Sequence, residues 1–453
     1  MKSNADTDLT AVGPVARLGL IDATAIIVGI VIGAGIYETT PLIAKSTAGA
    51  AELVAVFLIG GLCAFIGALC YTELGTVLNR TGGDFEFLQE AYGRRLAFVY
   101  AWMNFWIVQP ASVGAIAYIF ARYAIRLHNS LGVEYFPIFA VTAVACLTAA
   151  NAFGLQVGTT SQKVLTATKV AGILGLVALG FLSPLAVDAA PRPDVTPVSV
   201  DFKLAFILVM YTYGGWNVIV LVAAELKDAQ RNLLRALILS ITAIVAIYLA
   251  AVLAFEHALG HARLSVSQCV ACELATATLG EIGVIFISVL ICVTCLANIN
   301  ATILTNSRIF YAFGRRWPNY RWLGRWHGEY HSPVNALMAQ GVIAIVLIVI
   351  LAAGEQSFQR LVVFSAPVFW LFFLLVSIAL FILRHQGYTA PHEFRVPLYP
   401  VLPLMFSAIC AFMLYASVDY VFTTFRIEAV AVALVFIAGC VAAFVSRPQD
   451  GVT

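Results

Sequence analysis

Twelve apolar segments, each long enough to cross a bilayer, follow one another through this 453-residue chain. They lie at 18–47, 50–78, 96–127, 136–155, 163–184, 202–226, 233–258, 281–314, 333–353, 358–383, 399–422 and 427–446. A helical span needs about 20 apolar residues. No stretch between these segments is long enough for a separate soluble domain. Within a bilayer every backbone polar group needs a partner inside the protein, which restricts the chain to helices or closed barrels. Apolar runs of this length select helices. Hydrophobic residues make up 61% of the chain and charged residues 11%, against roughly 25% charged in a soluble domain. The expectation is a single all-α transmembrane domain covering 1–453 with twelve spans.

The basic residues set an expected orientation. Arg80, Arg94, Arg95, Lys227, Arg231, Arg235, Arg315, Arg316, Arg321, Arg325, Arg384 and Arg395 fall on one side with the N-terminus. Fewer fall on the other, among them Lys45, Arg122, Arg126, Arg192 and Arg426. Both termini are expected in the cytoplasm. The first span follows Asp6 and Asp8 rather than a basic stretch and contains Glu38, so it is not read as a cleavable signal peptide. A net charge of +2 implies no nucleic-acid or other polyanionic partner.

Two spans carry interruptions. The first reads Gly29-Ile30-Val31-Ile32-Gly33-Ala34-Gly35-Ile36-Tyr37. Each glycine there weakens a helix by about 1 kcal/mol relative to alanine. The sixth span carries Tyr211-Thr212-Tyr213-Gly214-Gly215-Trp216-Asn217. The glycines of the first break also fit close helix packing at Gly-x-x-x-Gly spacing, through Gly29 and Gly33. A second break five spans later favours another reading. Paired interruptions at matching places in two halves point to an inverted repeat with a binding site at its interface. Spans one to five (18–184) and six to ten (202–383) are then the halves, and 399–446 holds two additional helices. Prolines punctuate the loops, at Pro184, Pro191, Pro193 and Pro197 and at Pro391, Pro397, Pro400 and Pro403.

A broken span presents bare N–H and C=O groups at membrane depth, which suits a small zwitterion. N–H groups at Gly33, Ala34 and Gly35 and the positive end of the helix dipole suit a carboxylate. Carbonyls near Ile30 and Val31, and near Tyr211 and Gly214, suit an ammonium. Tyr211, Tyr213 and Trp216 are expected to shape a side-chain pocket with residues of the third and eighth spans.

Ionisable residues inside spans are functional candidates. Lys169 lies in the fifth span, either lodged in the interior or snorkelling to the interface. Glu38 follows the first break and is placed to bind a cationic substrate, or to pair with Lys45 or water. Asp22, Glu73 and Glu225 lie at helix ends, as caps or in a gate network with Arg17, Arg80 or Lys227. Cys63, Cys70, Cys146, Cys292, Cys295, Cys410 and Cys440 lie within spans, where cysteine packs as a small soft residue. Cys269 and Cys272 fall in a loop after His257 and His261. This spacing is compatible with a metal site, a disulfide, or no shared role. No Gly-x-Ser-x-Gly, His-Glu-x-x-His or P-loop is present, so no enzyme is expected. His128, His257, His261, His327, His331, His385 and His392 lie at loops or helix ends, which argues against haem or a redox chain.

Several pieces together resemble the amino acid–polyamine–organocation superfamily, particularly bacterial relatives of the L-type amino acid transporters. They are GIVIGAGIY (29–37), ALCYTELGTVLNRTGGDFEFLQEAYG (68–93), PASVGAIAYIFARY (110–123), YGGWN (213–217), AAELKDAQRNLLRAL (223–237), INATILTNSRIFYAFGRR (299–316) and FRVPLYPVLP (394–403). The resemblance covers nearly the whole chain. It implies a LeuT-type fold with a five-plus-five inverted repeat, alternating access and no bound cofactor. The family's Gly-Ser/Thr-Gly break falls on Gly33-Ala34-Gly35, and its sixth-helix aromatic gate falls on Tyr211. A fifth-helix lysine, placed where sodium-coupled relatives hold a sodium ion, falls on Lys169 and implies proton coupling or sodium-independent exchange. The chain departs from the pattern at Ala34, which lacks the usual hydroxyl, at Tyr211, usually phenylalanine, and at Glu38, usually apolar.

The expected function is secondary transport of amino acids across a cytoplasmic (inner) membrane, by exchange or proton-coupled uptake. The alternatives are a transporter of polyamines or cationic amino acids, motivated by Glu38, and a nutrient sensor that binds without translocating. The sensor reading lacks a cytoplasmic signalling extension. The expected partners are the small-molecule substrate and the lipid bilayer. No protein partner can be named from the sequence.

Overall fold

The computed structural model describes residues 18–78, 82–127, 132–154, 159–182, 201–218, 220, 226–328, 330, 332–351, 357–388 and 394–446. Arg17, Arg80, Glu225, the prolines of 184–197 and Pro391 lie outside the described residues. Fifteen α-helices follow one another among the described residues. They are α1 (Leu20–Val31), α2 (Gly35–Lys45), α3 (Ala50–Val77), α4 (Asp84–Tyr92), α5 (Arg94–Met103), α6 (Gln109–Arg126), α7 (Phe136–Ala152) and α8 (Thr159–Leu182). Next come α9 (Phe202–Thr212), α10 (Ala229–Val266), α11 (Val270–Arg316), α12 (Val334–Leu351), α13 (Ser357–His385), α14 (Val401–Thr424) and α15 (Arg426–Val445).

Nine helices among the described residues are long and apolar enough to cross a membrane, or ten if the bent pair α1–α2 counts as one span. The predicted fourth and sixth spans correspond to shorter helices, α7 with 17 residues and α9 with 11. Apolar side chains such as Leu174, Ile282, Val349, Leu434 and Phe444 stand exposed on the outside of the bundle. A water-soluble protein of this size would bury such a surface, and lipid accommodates it.

The first interruption follows from its residues. Three β-branched residues run from Ile30 to Ile32 between glycines, and both types weaken a helix. α1 stops at Val31, α2 restarts at Gly35, and the two are bent by 48°. The third span changes register in a different way. Residues Asn104–Val108 form a π-helical turn between α5 and α6. Pro110 has no N–H to return to the carbonyl four residues earlier, and the Gln109 N–H reaches Asn104 O instead.

α10 packs against α1, α2, α3 and α8, while α6 packs against α7, α11, α12 and α13. Large side chains fill the space between them, including Tyr71, Tyr123, Tyr213, Tyr248 and Trp317. The loop expected around Cys269 and Cys272 is short. The stretch between the seventh and eighth spans is largely helical, because α10 continues through a kink at Gly260 and α11 begins before a kink at Gly280. Positive φ at these glycines, 69° and 64°, makes the two bends. Cys269 and Cys272 sit at the turn and form a disulfide, so their sulfurs are not offered to a metal. His257 rests on Phe181. His261 pairs with Glu256 at 2.7 Å and lies 3.2 Å from the Thr47 carbonyl oxygen.

Candidate functional site

A cavity of about 240 Å³ lies where the two interruptions meet. Ile30, Val31, Gly33, Ala34 and Gly35 line it from the first break, and Tyr211, Thr212, Gly214 and Gly215 from the second. Gly215 has φ of 107°. A β-carbon there would lie 2.8 Å from Ile30 Cγ2, so the two breaks touch where only glycine fits.

α2 begins against the cavity. Its cap is Ala34, which offers no side-chain hydrogen bond. The leading N–H groups of a helix have no intrahelical acceptor; here Gly35 and its cap Ala34 lie at the cavity wall with the positive end of the α2 dipole, while the Tyr37 N–H turns back to Ala34 O at 3.2 Å. Tyr211 stands over this helix start, its Cε1 3.9 Å from the place a Gly35 β-carbon would occupy. The Tyr211 ring packs edge-on against Phe358.

The carbonyls of the first break are partly engaged. Lys169 is 4% exposed, and its Nζ donates to Gly29 O at 3.0 Å. It also donates to Asn298 Oδ1. One turn earlier on α8, Thr166 Oγ1 donates to Ala25 O at 3.4 Å. The lysine therefore does not snorkel; it ties α8 to the end of α1. The Tyr248 hydroxyl lies 2.7 Å from Val31 O and 3.3 Å from Thr212 O, joining the two breaks. Of the carbonyls expected to meet an ammonium, that of Val31 thus accepts from Tyr248. That of Tyr211 accepts from the Gly214 N–H at 2.9 Å.

Three expected site residues sit elsewhere. Glu38 is 8% exposed and pairs with Arg122, not with Lys45. Arg122 Nη2 also donates to Gln268 O at 2.6 Å, next to the disulfide. Tyr213 packs on Phe57 and Tyr248, and Trp216 on Tyr71 and Phe373. Both aromatic residues turn away from the cavity into the core behind it. The residues at helix ends also find other partners. Asp22 pairs with Lys163 and accepts from the Gly19 N–H at 2.9 Å. Glu73 is held by Arg384 at 2.5 and 2.6 Å and by the Val396 N–H at 2.7 Å.

Asn298 and Tyr248 were not singled out in the sequence, and Arg122 was read there only as an outer basic residue. All three are polar side chains on apolar helices, which was the available signal. Asp84, Tyr100, Asn104, Gln109 and Asn217 add polar groups to the cavity wall. No group of three or more His, Cys, Asp or Glu among the described residues is arranged to hold a metal.

Comparison with known proteins follows the same lines. The model of the amino acid permease family matches residues 18–437. Mouse b(0,+)-type amino acid transporter 1 is 26% identical over 425 residues, 92% of this chain and 85% of that protein. The rabbit large neutral amino acids transporter small subunit 2 is 26% identical, over 86% of this chain and 74% of its own. The serine/threonine exchanger SteT of Bacillus subtilis is 25% identical, with 86% of this chain and 88% of its own covered.

Proposed function

Because this chain belongs to the amino acid permease family and is an all-α, multi-pass membrane protein of the LeuT-type fold, we propose that it carries free amino acids across the cytoplasmic membrane by alternating access. One observation carries the reading: the N-terminus of α2 and the end of α1 open on the same cavity, at Gly33–Gly35 and at Ile30. The α-carboxylate docks on the N–H groups of Gly33–Gly35, where a helix start favours an anion. The α-ammonium lies towards Ile30 and Gly214. The substrate side chain extends under Tyr211, beside Met210 and Ile116. Backbone recognition of both charged groups leaves the side chain free to vary. Relatives named as amino acid transporters, one of them an exchanger, support this substrate class and an exchange mode.

Transport in this reading is independent of sodium. The Lys169 ammonium bonds the Gly29 carbonyl at the end of α1, supplying there the positive charge that a bound cation would bring. Twelve spans, with α7 and α9 as the fourth and sixth, form two five-span repeats at 18–184 and 202–383, with 399–446 added. The excess of basic residues supports a cytoplasmic position for both termini. The protein moves its substrate without chemical change and is not an enzyme. Glu38 no longer motivates the polyamine reading, since it pairs with Arg122.

Counterflow in proteoliposomes tests the proposal. Vesicles preloaded with unlabelled amino acid should accumulate the labelled one in sodium-free buffer. Binding without accumulation would leave a sensor, and absence of both across an amino acid panel would reject the reading.

A further inference from the structure

The cavity has a second polar pole that recognition at the first break leaves unused. Asp84 lines it. This residue opens α4 directly after Gly82 and Gly83, whose φ values of 137° and 52° suit glycine and make the turn that brings the carboxyl inward. The side chain is 6% exposed. Tyr100 donates to Oδ2 at 3.5 Å, which is long for such a bond. Oδ1 is buried and has no hydrogen-bond partner among the described residues. A buried acceptor left unmade is costly, and more so when it bears charge.

Charged neighbours on the surrounding elements are occupied in pairs of their own. Glu86 of α4 pairs with Arg316 of α11, and Glu73 of α3 with Arg384 of α13. Glu90, one face further along α4, meets the Tyr388 hydroxyl. Burial pushes the Asp84 carboxyl up to about 7, against the opposing pull of the polar side chains of Tyr71, Asn217 and Tyr100 close to it, none of which completes a hydrogen bond to Oδ1. Asn217, two residues beyond Gly215, lines the cavity beside it.

We propose that Asp84 is a specificity-determining subsite for a positively charged nitrogen entering this cavity. The proposal rests on the transport reading for the delivery of that nitrogen. The unpartnered oxygen accepts an N⁺–H bond, and the ionised carboxyl supplies the compensating charge. Two sources carry the same chemistry: the side chain of a basic amino acid, and the α-ammonium of any amino acid leaving the first break towards the cytoplasm.

The experiment measures binding of L-lysine, L-norleucine and cadaverine to purified wild type, Asp84→Asn and Asp84→Glu. Norleucine has nearly the shape of lysine without its charge, and cadaverine carries the charged nitrogen without a carboxylate. Asp84→Asn should weaken cadaverine tenfold or more, with Asp84→Glu restoring most of the loss. Lysine weakened alone assigns the site to basic side chains. Lysine and norleucine weakened together assign it to the α-ammonium. Equal cadaverine affinity in Asp84→Asn and wild type overturns the inference, as does a wild type that ignores every cation of the panel. Norleucine uptake by wild type reads the transport proposal separately. Should Asp84→Asn fail to fold, protection of Asp84 from carbodiimide labelling by cadaverine in wild type gives the same decision: protection is expected, and its absence overturns the inference.

Discussion

Lys169 Nζ lies 3.0 Å from the carbonyl oxygen of Gly29, 140 residues away in the chain. That bond joins the middle of α8 to the last turn of α1, where the helix ladder ends. Asn298 of α11 accepts from the same ammonium, so three helices meet on one charge. Replacement by alanine leaves two buried acceptors without a donor, at about 1–3 kcal/mol each. Lys169→Ala should still insert and purify as a folded protein, with counterflow slowed more than tenfold. Wild-type flux should be the same in sodium and choline buffers. Unchanged flux in Lys169→Ala would remove the lysine from the transport cycle.

Gly33 and Gly35 are predicted to respond differently. A β-carbon on Gly33 would lie 2.4 Å from Asn298 Nδ2, whereas one on Gly35 has 3.9 Å of clearance. Gly33→Ala should therefore push Asn298 off Lys169 and lower thermal stability in detergent. Gly35→Ala should fold normally, with its methyl group in the cavity weakening amino acid binding several-fold. Melting curves and binding isotherms for the pair separate the two effects. Equal stability loss in both would contradict the packing described.

The break at Gly29–Gly35 was legible because weak helix formers cluster there within an apolar run. Lys169 was legible as an ionisable group inside a span. Its second acceptor was not. Asn298 is a neutral amide on a long apolar helix, and only the packing of α11 beside α8 gives it a charge to bind. The pairing of Glu38 was hidden for a related reason: Arg122, its partner, lies 84 residues away. Tyr213 and Trp216 had the residue types of a pocket wall, but the turn at Gly214–Gly215 directs them into the core. The seventh span was expected to end at 258 and the eighth to begin at 281, whereas Gly260 and Gly280 just beyond those bounds are bends between helical segments.

Tyr248 joins the two breaks through a single hydroxyl, 2.7 Å from Val31 O and 3.3 Å from Thr212 O. Tyr248→Phe keeps the ring and removes those bonds, worth about 1 kcal/mol net. The melting temperature should fall modestly and counterflow should slow, because the relative placement of α1 and α9 is loosened. A variant with wild-type melting and flux would show that the bridge is dispensable.

Glu38→Gln removes the partner of Arg122, whose side chain is 20% exposed. Breaking such a pair costs up to about 3 kcal/mol. Stability should drop, and transport of neutral and cationic amino acids should suffer alike. A loss confined to cationic substrates would return Glu38 to the list of substrate ligands.

Asp84 gives the cavity a pH dependence of defined sign. Its carboxyl titrates near 7, while amines such as cadaverine, with an unperturbed pKa of about 10, stay charged throughout. As pH falls through that value the carboxyl takes up a proton and the cation loses its counter-charge. Cadaverine competition should weaken from pH 8 to pH 6 in wild type and stay flat in Asp84→Asn. Stronger competition at the lower pH would contradict the assignment.

The central claim is that the start of α2 receives the carboxylate of an amino acid. An experimental structure with a bound substrate identified by counterflow tests it most directly. The account predicts the carboxylate within hydrogen-bond reach of the N–H groups of Gly33–Gly35, beneath Tyr211. A carboxylate bound elsewhere in the cavity, with the N-terminus of α2 facing only water, would contradict it.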